Sequence, residues 1–203
     1  MLITKIELQK KNSGRVNVYV DGSFAFGTSA DCVLKFHLKE GMELNDALIE
    51  HIKTDGEREL CVARAMKYLG RALKTEREVA TYLLSKGFSP ETVNFALCKL
   101  KEYGFVDDER FVKSFVKFKS SRQGIRKTKF ELERKGIDTK KFLGKIDEPS
   151  DEHSTACELL EKYLKNKPLD LKTKQKAYRF LAGKGFLSEN VMFAINKFFD
   201  GDE

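Results

Sequence analysis

The spacing of apolar residues changes after the first fifty positions. Ile6 and Leu8, then Val16, Val18 and Val20, then Phe24 and Phe26 alternate with other residues, the period of two expected of half-buried strands. Asn12-Ser13-Gly14 suits a loop, and Asp21-Gly22 is the pair that favours a two-residue type I′ hairpin, in which both central residues take positive φ. A short helix is expected from an N-cap at Ser29, carrying Val33 and Phe36 and ending before Gly41.

From about Glu57 the period becomes helical. Val62, Met66, Leu69 and Leu73 follow one another at steps of four, three and four, and Phe111, Phe115 and Phe118 at four and three. Each set falls on one helix face and is assigned to the core. Within this half a six-residue pattern recurs: Leu83 to Phe88, Leu132 to Ile137 and Leu181 to Phe186 all read L-x-x-K-G-[FI], with glycines 49 residues apart both times. A fixed period of this size marks tandem supersecondary units.

The physical logic of the pattern is a helix stop. Glycine takes the left-handed C′ conformation, the lysine faces the negative end of the helix dipole, and the next apolar residue packs back on the helix. New helices are expected at once, capped by Ser89 ahead of Pro90 and Glu91, by Asp138 and by Ser188, while Thr75 to Glu78 fits a capping box. The third helix of each unit then carries Val93, Leu97 and Leu100, or Phe142 and Ile146, or Val191, Ile195 and Phe198.

The expected fold is mainly α: three tandem three-helix, helix-turn-helix-like repeats preceded by a small N-terminal three-strand segment with a short helix. The boundaries assigned are 1–56 for the β-rich extension and 57–106, 107–148 and 149–203 for the repeats, with a hinge at Lys145 to Asp151 around Pro149.

Charge adds a direction to this picture. The chain of 203 residues has a formal net charge of +7, but between Arg110 and Lys145 thirteen Lys or Arg face three acids. The rest of the chain is therefore slightly acidic, and the second repeat is the basic one. A basic block in an otherwise balanced protein suggests a footprint for nucleic acid or an acidic protein surface. Arg126, Lys127 and Lys129 stand near the start of the second repeat's middle helix, where cations oppose the dipole at a cost of a few tenths of a kcal/mol each. Binding explains them better than stability does.

Other chemistry is sparse. Cys32, Cys61, Cys98 and Cys157 are scattered, form no CxxC pair and build no clustered Cys/His zinc motif, so buried free thiols are expected rather than a disulfide framework or zinc site. His37, His51 and His153 show no metal-ligand spacing, and no GxSxG, Walker or GxGxxG loop occurs. Asp107-Asp108 is read as the acidic start of a helix. No enzyme activity, metal or cofactor is expected. With no apolar run of the roughly 20 residues needed to span a bilayer and no apolar signal core, a cytoplasmic protein without membrane contact is expected.

The run Gly104-Phe105-Val106-Asp107-Asp108-Glu109-Arg110-Phe111, continuing through Ser114 to Val116, Arg122 to Gly124, Arg126 and Leu132 to Ile137, closely resembles the RecX family of recombination regulators. Ala63 to Leu69, Leu83 to Phe88, the opening ITKIELQKKN and Phe24 to Gly27 are similar to the family's other motifs, while the third repeat diverges with Asn166 to Asp170. The resemblance implies a monomer that lodges in the groove of the RecA–DNA filament and inhibits filament growth, ATP hydrolysis and strand exchange, with single- or double-stranded DNA as a further contact. Arg122, Arg126, Lys127, Lys129, Arg134 and Lys135 are the residues expected to meet the filament. Two other readings remain open: a sequence-specific helix-turn-helix DNA-binding protein, and a helical scaffold with no DNA role.

Overall fold

Alternating β-branched residues build the first layer. The computed structural model describes residues 1–9, 12–70, 72–146 and 152–200. Strands β1 (Ile3–Gln9), β2 (Asn12–Val20) and β3 (Ser23–Ser29) form an antiparallel sheet in chain order. Asp21 and Gly22 both take positive φ, 49° and 83°, as the type I′ turn requires. Val16, Val18 and Val20 all point inward. Phe24 does not share the core with Phe26 as the alternation implied; a register shift pairs Val18 with Phe26 but Tyr19 with Phe24, and the extra residue turns Phe24 out to solvent. Leu8, beside a second register shift, is exposed too. The expected loop at Asn12-Ser13-Gly14 is instead the start of β2.

Two units follow from how the chain gathers its contacts: Met1–Leu73 with Val79–Val106, and Lys74–Glu78 with Asp107–Glu203. In the first, Ser29 caps α1 (Ala30–Lys35), its side chain accepting from the Cys32 N–H. Helix α2 (Asp46–Leu69) begins well before the helical period becomes evident at Glu57, because Asn45 caps it and Ile49 and Ile52 join the core of the sheet. Its later turns bring Cys61 and Ala65 against Val79 and Leu83 of α3 (Glu76–Leu84) and Val93, Ala96, Leu97 and Leu100 of α4 (Pro90–Glu102). Leu73, placed in the core by periodicity, lies beyond the end of α2 and is exposed.

In the second unit, α5 (Asp108–Ser120) and α6 (Ile125–Arg134) enclose Phe111, Val112 and Leu132 with Ile137 and Ile146. A 3-10 turn (Thr139–Phe142) capped by Asp138 leads into the single turn α7 (Leu143–Ile146). The hinge expected at Pro149 lies outside the described residues. Helices α8 (Glu152–Leu164), α9 (Leu171–Gly183) and α10 (Ser188–Phe199) close around Leu160, Leu181, Phe186 and Ile195. Ser188 is not the cap assigned to it: Leu187 occupies that position and makes no side-chain cap bond.

The repeated stop motif behaves as its chemistry dictates. Gly87, Gly136 and Gly185 take φ of 87°, 86° and 85°. At the second, the Ile137 N–H donates to the Leu132 carbonyl at 3.1 Å and the Gly136 N–H to Glu133 at 2.9 Å, the paired bonds of a Schellman turn. Thr75 and Glu78 form the capping box, Glu78 Oε2 accepting from the Thr75 N–H at 3.0 Å and Thr75 Oγ1 from the Glu78 N–H at 3.2 Å.

Candidate partner-binding surface

The helix-turn-helix α5–α6 is aligned by its caps and by one long-range acid. Asp107 accepts from the Arg110 N–H and Asp108 from the Glu76 N–H at 2.8 Å, so both acids at the helix start hold backbone groups, the structural role read from the sequence. Gly124 caps α6 without a side chain. In its place Glu152 of α8 accepts from the Ile125 N–H at 2.5 Å while its other oxygen takes the Asn190 amide at 2.5 Å. A carboxylate thus sits at the positive end of a helix whose own first turn contains no acid, offsetting the cost of the cations there. Nothing local in the sequence could reveal it, because the donor and acceptor are 27 residues apart.

The start of α6 is further held by the third stop motif. The Gly124 N–H donates to the Lys184 carbonyl and the Arg126 N–H to the Gly185 carbonyl, both at 3.1 Å. The approach is so close that a Cβ on Gly124 would lie 2.4 Å from Gly185 O and from Phe186 N.

These contacts sort the six expected residues. Arg122, Arg126 and Arg134 are exposed. Lys127 is half-buried, its backbone N and Cβ packed against Gly185. Lys129 is half-buried. Lys135 ends α6, with its ammonium 2.7 Å from Glu78 and 5.6 Å from the centre of the Phe111 ring. Arg126 and Arg134 share the outer face of α6; Lys135 is engaged elsewhere.

Two aromatic residues on this side escaped the sequence reading. Phe118, assigned to the core stripe of α5, is 55% exposed, and Phe130 is 58% exposed. Phe118 lies near the end of α5, past the layer that Phe111 and Phe115 fill, and the Arg122 guanidinium covers its ring at 4.4 Å. At 3.6 residues per turn, Phe130 lies about 160° around α6 from buried Leu132. That position was legible, since an apolar residue there breaks the polar face. Lys119 and Glu131, the residues following each phenylalanine, are ion-paired at 2.7 Å, which ties the end of α5 to the middle of α6. Burial works to raise the Glu131 carboxyl, but hydrogen bonds from Lys119 and Gln123 outweigh it and hold it below the ordinary glutamate value.

The third repeat is also more basic than its overall charge suggested: α9 carries Lys172, Lys174, Lys176 and Arg179 and no acid. Lys174 pairs with Asp200 at 2.6 Å, whereas Lys172, Lys176 and Arg179 are exposed.

Cysteine chemistry is quiet. Cys32, Cys61 and Cys157 are buried as expected, but Cys98 is exposed, being on the outer side of α4. Burial pushes the Cys61 thiol up to about 11. The donor atoms of Cys32, Asp55 and Glu59 lie within 4.8 Å of one another, yet Asp55 is bonded to Lys35, and Glu59 accepts from Ser29 and Cys32. The cluster ties α1 to α2. Among the described residues no helix is long and apolar enough to cross a membrane.

An N-terminal three-stranded sheet followed by three-helix repeats, the second with a cationic helix-turn-helix face, defines a mainly helical repeat protein. Models of the RecX N-terminal domain, of the first RecX three-helix domain and of the third match residues 1–45, 61–100 and 150–195. The regulatory protein RecX of Clostridium perfringens is 36% identical over 190 residues, covering 91% of this chain and 90% of its own, and that of Clostridium tetani 34% identical over 98% and 95%. A crystal structure of a regulatory protein RecX matches with a TM-score of 0.74 at 26% identity over 99% of both chains. The chain belongs to the RecX family, a family of regulatory proteins rather than a known enzyme family.

Proposed function

We propose that this protein regulates the RecA recombinase by binding the RecA–DNA filament and inhibiting its growth, ATPase and strand exchange. Membership of the RecX regulatory family is the observation that carries this reading. The second unit supplies a surface suited to it: Arg122, Arg126 and Arg134 are exposed and lead the contact, with Lys127, Lys129 and Lys135 behind them.

The test is a RecA ATPase assay on single-stranded DNA with substoichiometric protein. Inhibition well below one copy per RecA protomer is expected. The triple variant Arg122→Glu, Arg126→Glu, Arg134→Glu replaces only exposed side chains and is expected to lose inhibition with its helical circular dichroism unchanged; full inhibition by that variant would remove the assignment. The α5–α6 outline also favours a second reading, sequence-specific duplex recognition through α6 in the major groove. That reading requires a preferred site in which each mismatched base pair costs roughly 1–3 kcal/mol.

A further inference from the structure

A phenylalanine on the outer face of a short helix contributes nothing to the core it turns away from. Helix α6 buries Thr128 and Leu132, with Ile125 partly covered, and these already fill its inward face. Phe130 stands opposite them, one turn from Arg126 on one side and one turn from Arg134 on the other, since residues four apart are neighbours on a helix. Phe118 is exposed near the end of α5, which the Lys119–Glu131 pair ties to α6. Two exposed rings and three exposed arginines thus lie on α5, α6 and the turn between them. Aromatic and arginine side chains are the residue types that dominate protein–protein binding energy when they become fully desolvated.

Resting on the reading that this face meets the filament, we infer that Phe130 and Phe118 are apolar anchors that enter a pocket on a protein partner whose rim carries carboxylates. The charge of the surroundings sets the rim: Arg122, Arg126 and Arg134 call for acids. The geometry favours a protein pocket over stacked bases. The Arg122 guanidinium already covers one face of Phe118, and base stacking needs an open ring face. Binding energy then resides mainly in desolvated rings, and the arginines set encounter rate and orientation.

The experiment uses the full chain and two probes: RecA filaments assembled on an oligo-dT strand with a non-hydrolysable ATP analogue, and the same strand bare. Phe130→Ala is expected to weaken filament binding at least about tenfold, Phe118→Ala less, and Phe130→Leu to restore part of the loss. The salt dependence of filament binding and the affinity for bare oligo-dT are expected to stay as in the parent. Circular dichroism and the thermal midpoint, unchanged for an exposed side chain, verify folding. Parent-like filament binding by Phe130→Ala, alongside loss in the arginine triple variant, would overturn this inference and leave the proposed function standing. A parallel loss on bare oligo-dT would assign the rings to bases and overturn it as well. If the parent itself ignores filaments, the proposed function fails and the anchors with it.

Discussion

The Lys135-Gly136 and Lys184-Gly185 turns, 49 residues apart, end their helices in the same way but hold their neighbours by different means. At the first, Thr75 Oγ1 donates to the Lys135 carbonyl at 2.7 Å, the Lys135 ammonium meets Glu78 at 2.7 Å, and the glycine lies over the Arg77 side chain. At the second, the Lys184 and Gly185 carbonyls accept from the backbone N–H groups of Gly124 and Arg126. Thr75 and Gly124 are themselves 49 residues apart. The repeat thus delivers one contact twice, through side chains in one joint and through backbone in the other. A side-chain joint depends on charge and hydrogen bonding, whereas a backbone joint depends on space.

The largest effect should come from filling that space. Gly124 has φ of −77°, which any residue adopts, so its requirement is steric alone. Gly124→Ala places a methyl group 2.4 Å from backbone atoms, and the two turns must part. Overpacking together with the loss of two backbone hydrogen bonds should cost about 2–4 kcal/mol in urea unfolding. Because the first turn of α6 carries Arg126, filament binding should fall too. Unfolding at the parent's urea midpoint would show that the turns are not in contact.

Next in size is the side-chain joint. Thr75→Ala removes the cap of α3 and the bond to the Lys135 carbonyl, at an expected cost of about 1–2 kcal/mol by the same measurement. Gly183 provides the opposite sign. It is the last residue of α9, and an added Cβ would meet no atom within 4 Å. Gly183→Ala should therefore stabilise the protein by about 0.5–1 kcal/mol through helix propensity. A loss there would mean that the end of α9 is packed against something beyond its own repeat.

Much of this architecture was legible because its determinants are local. The stop motif, the Thr75–Glu78 box, the Asp21-Gly22 turn and the caps at Ser29, Ser89 and Asp107 each lie within six residues of chain. What escaped depended on partners distant in sequence. Glu152 reaches the start of α6 from another helix, and the register shift at Tyr19 reverses Phe24. Periodicity placed Leu73 and Phe118 on an apolar stripe, but not where the layer they should fill comes to an end. The arginines of the candidate surface were visible as charge. Phe130 was visible as a break in the helix pattern, and its meaning emerged only when the opposite face proved full.

The smallest predicted effect separates the joints by pH. Burial works to raise the Glu78 carboxyl, but hydrogen bonds from the Lys135 ammonium and the Thr75 N–H outweigh it and hold the group below the ordinary glutamate value. A carboxyl with a lowered value in the folded chain binds its proton more tightly when unfolded. Its contribution is therefore present above the ordinary value of about 4.3 and is lost as pH falls through the folded value. Glu78→Gln should be less stable than the parent at pH 7, and the gap in urea midpoint should narrow on acidification below about pH 4. The Gly124–Lys184 and Arg126–Gly185 bonds are made by backbone groups that do not titrate, so the gap between Gly124→Ala and the parent should change less over the same range, any change there coming from the Glu152 carboxylate on the Ile125 N–H. Equal narrowing in both variants would mean that general charge repulsion in acid, rather than the Lys135–Glu78 pair, sets the pH dependence.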